Sequence, residues 1–258
     1  MTLEFDGEQY TRASTHQREW GTKLIESLKL NGDEHILDLG CGDGVLTLEL
    51  ARRVPRGAVV GIDGSTGMLD VARQKVSRNL RFELLDIDAL SYDTEFHVVF
   101  SNATLHFVKG HPRLFENAHR ALHDGGVLRC SFGGDGNCVH FIDAVRNAMG
   151  AEEFAPFFEA FEWPYYMPKV EDYRVLVEES LFTAYEVWGE NADRYFPDAE
   201  TITRWIDQPC IVPFLDVVSE PFKRSFRDSV VEQVLATTQQ EDGTHFETFR
   251  RIQLVATK

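Results

Sequence analysis

Three glycines at alternate positions in Asp38-Leu39-Gly40-Cys41-Gly42-Asp43-Gly44 would let the backbone turn tightly and come close to a ligand at the start of a helix. The dinucleotide fingerprint places its last glycine where this chain has Val45, which makes a nicotinamide dehydrogenase the weaker reading. A plain structural bend is the other alternative. The neighbouring residues favour a ligand. Asp63 ends a second apolar run, where its carboxylate can accept two ribose hydroxyls. Asp86, with Ile87, ends a third and is placed to accept from an adenine amino group, so two acids frame one adenosine. A fourth run ends in Ser101-Asn102-Ala103-Thr104-Leu105-His106-Phe107, which sets polar side chains beside the reactive end of such a cofactor.

These residues need a sheet to bring them to one edge. Five apolar runs, 35–38, 58–63, 80–85, 96–101 and 126–131, alternate with amphipathic stretches at 45–53, 68–77 and 112–122, the pattern of βαβ units and a mostly parallel sheet. Leu69, Ala72 and Val76 fall at helical spacing on one face of the second stretch, which argues for packing on the sheet. After Phe132 the alternation stops. A Gly-rich bend leads into an aromatic-rich helical stretch ending near Val177; 181–188 reads as a strand, 197–238 as helices and 251–256 as a closing strand. The division expected is one domain over 1–258, with an N-terminal lid segment at 1–30, a cofactor-binding core at 31–139, and a helical lid with the last two strands at 140–258.

The ordered set of the glycine turn, Asp63, Asp86-Ile87 and 101–107 resembles the class I S-adenosylmethionine-dependent methyltransferases. The resemblance implies an α/β, Rossmann-like, seven-stranded mostly parallel sheet with helices on both faces. Its strand order would be 3-2-1-4-5-7-6 with the last strand antiparallel, and a helical lid would be inserted after strand 5 and between strands 6 and 7. It also implies S-adenosyl-L-methionine as cofactor and S-adenosyl-L-homocysteine as product. Asp38, Gly40 and Gly42 would cradle the methionine part, Asp63 would hold the ribose, Asp86 and Ile87 adenine, and Asn102 would contact the sulfonium side, with Gly64 and Met68 as further cofactor contacts. Within the family, 10–17, 102–107 and 204–215 look like trans-aconitate 2-methyltransferase and its relatives, among them the malonyl-carrier-protein carboxyl methyltransferases. The acceptor would then be a small molecule, most naturally a carboxylic acid methylated at oxygen. O- or N-methylation of another small metabolite, and a non-catalytic cofactor-binding module, stand as alternatives.

Methyl transfer is an in-line displacement, so the protein chiefly aligns the partners and excludes water. A carboxylate is already ionised near neutral pH, whereas an alcohol or phenol needs a base. His106 is the candidate for that role, or else packs at the lip of the pocket. Tyr10, His16 and Gln17 either fold over the carboxylate end of the cofactor or simply begin an amphipathic helix. Asp43 reads as a cap for the helix that follows. The aromatics from Phe154 to Tyr166 either wall an acceptor pocket or form the core of the lid; Tyr165, Tyr166, Arg204, Arg250 and Arg251 are the available anchors for a carboxylate, and Tyr165, Tyr166 and Arg204 are taken as substrate contacts.

The formal net charge of -16 disfavours nucleic acid and anionic lipid as partners. From His140 onward acids outnumber bases two to one, which disfavours long-range steering of a polyanion. Cys41, Cys130, Cys138 and Cys210 lack metal-site or disulfide spacing, so no metal and a reduced, cytoplasmic setting are expected. The opening Met1-Thr2-Leu3-Glu4-Phe5-Asp6 is acidic where a signal peptide is basic, and no apolar run is long enough for a membrane helix. Oligomeric state leaves no mark on the sequence.

Overall fold

A computed structural model describes residues 4–258, the side chain of Pro209 excepted; Met1, Thr2 and Leu3 of the acidic opening lie outside the described residues. In chain order the strands are β1 (His35–Leu39), β2 (Ala58–Asp63), β3 (Leu80–Leu84), β4 (Phe96–Asn102), β5 (Leu122–Gly133), β6 (Ala184–Asn191), β7 (Arg194–Phe196), β8 (His245–Glu247) and β9 (Arg250–Thr257). The helices are α1 (Gly7–Ala13), α2 (Thr15–Glu26), α3 (Val45–Arg53), α4 (Thr66–Ala72), α5 (His111–Ala121), α6 (Val139–Met149), α7 (Val170–Glu178), α8 (Ala199–Trp205), α9 (Val212–Leu215) and α10 (Glu220–Thr238).

Two compact units are formed: one from the chain up to Asp135, Tyr165–Glu190 and Arg251–Lys258, the other from Gly136–Pro164 and Asn191–Arg250. The first unit is built on a seven-stranded sheet of order β3-β2-β1-β4-β5-β9-β6. β1 to β5 run parallel to their neighbours, and β9 is antiparallel to β5, as the family resemblance implies. Register aligns the functional ends, Asp63 opposite Leu84 and Asn102 opposite Ser131. Side-chain alternation buries both faces. Leu37, Leu39, Val60 and Val99 pack with Leu114 and Phe115 of α5 and Tyr173 of α7, whereas Ile36, Val59 and Phe100 pack with Leu24 and Ile25 of α2 and Leu50 of α3.

Local chemistry shifts two sequence expectations. α4 begins earlier than 68, because the Ser65 hydroxyl caps it by accepting from the Met68 N–H at 3.2 Å. It also ends at Ala72: the Lys75 N–H turns back to the Ala72 carbonyl at 2.9 Å, and Asn79 holds the chain by donating to the Ala51 and Val54 carbonyls. Leu69 and Ala72 are buried as expected, but Val76 lies beyond the helix and is 87% exposed.

The second unit consists of the two insertions, one after β5 and one between β6 and β9. Its antiparallel β7–β8 pair has no counterpart in the sequence reading. Phe154 meets Phe226 at 5.2 Å between ring centroids, and Phe161 and Trp163 meet Phe214 at 5.5 and 5.4 Å, so these aromatics make the unit's own core. The buried Glu247 carboxylate closes the start of α6, accepting from the backbone N–H of Phe141 at 3.0 Å and of His140 at 3.3 Å and from the His140 ring at 2.9 Å. No helix among the described residues is long and apolar enough to cross a membrane, and no group of three metal-ligating side chains converges among them. All four cysteines are buried, and none is in a disulfide among the described residues.

Candidate active site

Gly40, Gly42 and Gly44 all have positive φ, 69°, 54° and 75°, which carries the chain from β1 into α3. At Gly40 the close approach is real: a Cβ would stand 2.1 Å from the Thr104 side chain, whose hydroxyl donates to the Gly40 carbonyl at 3.1 Å. Asp63 holds the turn from β2, its carboxylate accepting from the Gly42 N–H at 2.8 Å and the Ser65 N–H at 2.9 Å. Burial raises the Asp63 pKa against the pull of these two donors.

Beside this turn lies a cleft of about 440 Å³, counting the part open to solvent, lined by Tyr10, Ser14, Gln17, Arg18, Asp38 and Asn102 with the turn itself. Asp38 lies almost wholly buried beneath it and accepts from the Thr47 hydroxyl at 2.7 Å. Burial, with the nearby charge of Asp63, pushes its pKa up to about 7. Three side chains of the cleft lining each hold a buried polar atom without a hydrogen-bond partner: Ser14 Oγ, Gln17 Oε1 and Arg18 Nε. They supply donors and an acceptor beside a buried acid, the set an amino-acid zwitterion next to a cationic centre requires. Arg18 also pairs with Asp43 at 2.8 Å, and Asp43 reaches the Val45 N–H at 3.2 Å. Gly44 is the N-cap of α3, and Asp43, one residue before it, accepts from the first helical N–H while tying the N-terminal segment to the turn.

Of the sequence candidates, Tyr10, Gln17, Asp38, Gly40, Gly42 and Asn102 come together around this cleft. Asp63, Gly64 and Met68 follow at the β2 end, where Met68 is buried in α4. Asp86 is exposed at the end of β3 and caps the turn after it by accepting from the Asp88 N–H at 2.9 Å, while Ile87 is buried. His16 is buried away from the cleft lining, 4.9 Å from the Trp20 ring. Ser14, Arg18 and Thr104 were not singled out. The one signal for the first two was helical spacing, since 14, 17 and 18 share a face with Tyr10.

His106 follows β4. Its Nδ1 accepts, at 3.5 Å, from the Gly133 N–H, which assigns the ring proton to Nε2. Its carbonyl accepts from the Tyr166 N–H at 2.7 Å, and its ring lies 5.9 Å from that of Tyr165, so the two tyrosines and His106 are neighbours. Burial, joined by the Arg251 charge, lowers the His106 pKa to about 3 and leaves the imidazole neutral. Burial likewise raises the Tyr166 pKa. Arg204 lies on the surface of α8, bound to Glu200 at 3.3 Å and Thr201 at 3.2 Å on its own helix.

The family described as a methyltransferase domain matches residues 36–126, the span from β1 into β5. An uncharacterized methyltransferase of Schizosaccharomyces pombe is 31% identical over 97% of this chain and 99% of its own. A trans-aconitate 2-methyltransferase of Acidovorax ebreus is 25% identical over 98% of each. Among solved structures, a loganic acid methyltransferase with S-adenosylhomocysteine superposes with a TM-score of 0.72 at 12% identity, over 100% of this chain and 98% of that one.

Proposed function

This chain belongs to the class I S-adenosylmethionine-dependent methyltransferases, in the group of the trans-aconitate 2-methyltransferases, and we propose that it esterifies a carboxylate of a small organic acid. S-adenosylmethionine, when bound, supplies a methyl carbon made electrophilic by the sulfonium. The chain's own residues do the rest. Asp38 and Gln17 offer acceptors to an ammonium, Ser14 and Arg18 offer donors to a carboxylate, Asp63 accepts from ribose hydroxyls and Asp86 from an adenine amino group. Asn102 would stand at the sulfonium side, and Tyr165 and Tyr166 are the proposed acceptor contacts.

The observation that carries the choice of acceptor is the state of His106. With its pKa held near 3 it is a poor proton acceptor, and its Nε2–H is a donor. An alcohol or phenol would need a base there, whereas a carboxylate arrives ionised and needs only placing. The carboxylic acid named for the Acidovorax relative supports the same class of acceptor.

The test is kcat against pH at saturating cofactor, for wild type and His106→Ala, with whichever acid of a mono-, di- and tricarboxylate panel yields S-adenosylhomocysteine. A profile flat from pH 6 to 9, lowered by one factor throughout in the variant, supports the proposal. A rising limb in wild type that disappears in His106→Ala would show that His106 is a base and refute it.

A further inference from the structure

Arg251, near the start of β9, is buried to 4% exposure, and its side chain returns across the ends of β5 and β4. Nε donates to the Ser131 hydroxyl at 2.9 Å; Nη2 donates to the Ser131 carbonyl at 3.0 Å and to Asn102 Oδ1 at 3.1 Å. The other end of the same amide, Asn102 Nδ2, donates to the backbone carbonyl of Gln17 in α2 at 2.9 Å. A guanidinium can only donate and a carbonyl can only accept, so Asn102 satisfies both neighbours in one orientation and not when flipped.

Two further contacts build the same seat. The guanidinium carbon stands 4.3 Å from the centroid of the Trp20 ring, on α2. Gly21, one residue on, lets the helix come close: a Cβ there would stand 3.0 Å from Asn102 Nδ2 and 2.1 Å from the Leu46 side chain. Ser14, Gln17 and Arg18, which line the cleft, are carried by the N-cap and first turn of this helix.

We propose that Arg251 is a positioning residue for the cofactor: by fixing the Asn102 amide and stacking on Trp20 it seats α2 so that Ser14, Gln17 and Arg18 meet the glycine turn. The closing strand of the sheet thereby governs the N-terminal wall of a cleft to which Arg251 itself contributes no lining. The inference rests on the cofactor reading of that cleft, and wild-type binding is its control.

Calorimetric titration of the purified full chain with S-adenosylhomocysteine tests it, in wild type, Arg251→Gln, Arg251→Lys, Asn102→Ala and the Arg251→Gln/Asn102→Ala double variant. Each single substitution is expected to weaken binding about tenfold, the scale of one charge-assisted hydrogen bond. The double variant should bind worse than Asn102→Ala alone by less than the Arg251→Gln factor, because the share of the loss that passes through the Asn102 amide is counted once and only the Trp20 contact adds to it. Amide exchange should quicken across 15–26 in the Arg251 variants and stay unchanged across 45–53. Losses that multiply in the double variant, or lower thermal stability with unchanged affinity, would reduce Arg251 to a staple between β9 and β5 and overturn the inference. Should Arg251→Gln not fold, Arg251→Lys decides: an ammonium has neither the second nitrogen that holds the Ser131 hydroxyl nor the planar face that lies on Trp20, so wild-type affinity in that variant would overturn it. Wild type that fails to bind would overturn the cofactor reading instead.

Discussion

Replacing Asp38 with Asn should make the ligand-free protein more stable and a poorer binder, and the gain in stability should grow with pH. The two side chains have the same shape, and an amide oxygen can accept the Thr47 hydroxyl bond in place of Oδ2. What changes is the charge. The carboxyl has a pKa of about 7 in the folded chain against about 4 for an ordinary aspartate, so between these values the folded state holds a proton that the unfolded state has lost. Its contribution is therefore intact at low pH and is lost as pH rises from about 4 to about 7. At about 1.4 kcal/mol per pKa unit, the cost of burying the ionised group reaches about 4 kcal/mol at pH 8 and falls below about 1 kcal/mol near pH 4. Asp38→Asn removes that cost, which for a chain of this size corresponds to roughly 10 °C in Tm at pH 8. The same change removes an acceptor for the cofactor's ammonium and should weaken S-adenosylmethionine binding about tenfold. Thermal melts of both proteins across pH 4 to 8, with calorimetry at pH 8, read both effects. A Tm difference independent of pH, or a variant less stable than wild type at pH 8, would refute the reasoning.

Ala103, between Asn102 and Thr104, has φ of 58°, a conformation that costs a non-glycine residue about 1 kcal/mol, so Ala103→Gly should raise urea-unfolding stability by about that amount. Gly40→Ala, whose Cβ would collide with Thr104, should displace the turn and weaken S-adenosylhomocysteine binding by more than about tenfold in calorimetry. Glu247→Ala strips the N-terminal turn of α6 and His140 of a buried acceptor, and should cost about 3 kcal/mol or more in urea unfolding.

The cofactor edge was legible in the sequence because its chemistry is local. A glycine turn, Asp63 and Asp86 each stand at the end of an apolar run, and a parallel sheet brings such ends together. The closing strands were legible for the same reason, as apolar runs of strand length. Residues recruited from far along the chain were not. Arg251 reaches Asn102 across 149 positions, and no spacing rule connects them. Val76 continues the helical period of Leu69 and Ala72, yet α4 stops before it, because hydrogen bonds from Asn79 to α3 outweigh the pattern. The aromatic stretch from Phe154 to Trp163 offered two readings by composition, and its partners Phe214 and Phe226, which place it in a core, lie more than 50 residues on. His106 shows the same limit: its residue type suggests a base, and only burial and the charge of Arg251 reveal an imidazole held neutral.

Esterification of a carboxylate is tested most directly by the chemical stability of the product. The purified protein is given S-adenosylmethionine labelled in the methyl group together with the acid that supports turnover, and the isolated product is treated with mild alkali. The account expects the label to leave as methanol, as a methyl ester requires; label retained through that treatment, as in an ether or a methylamine, would contradict it.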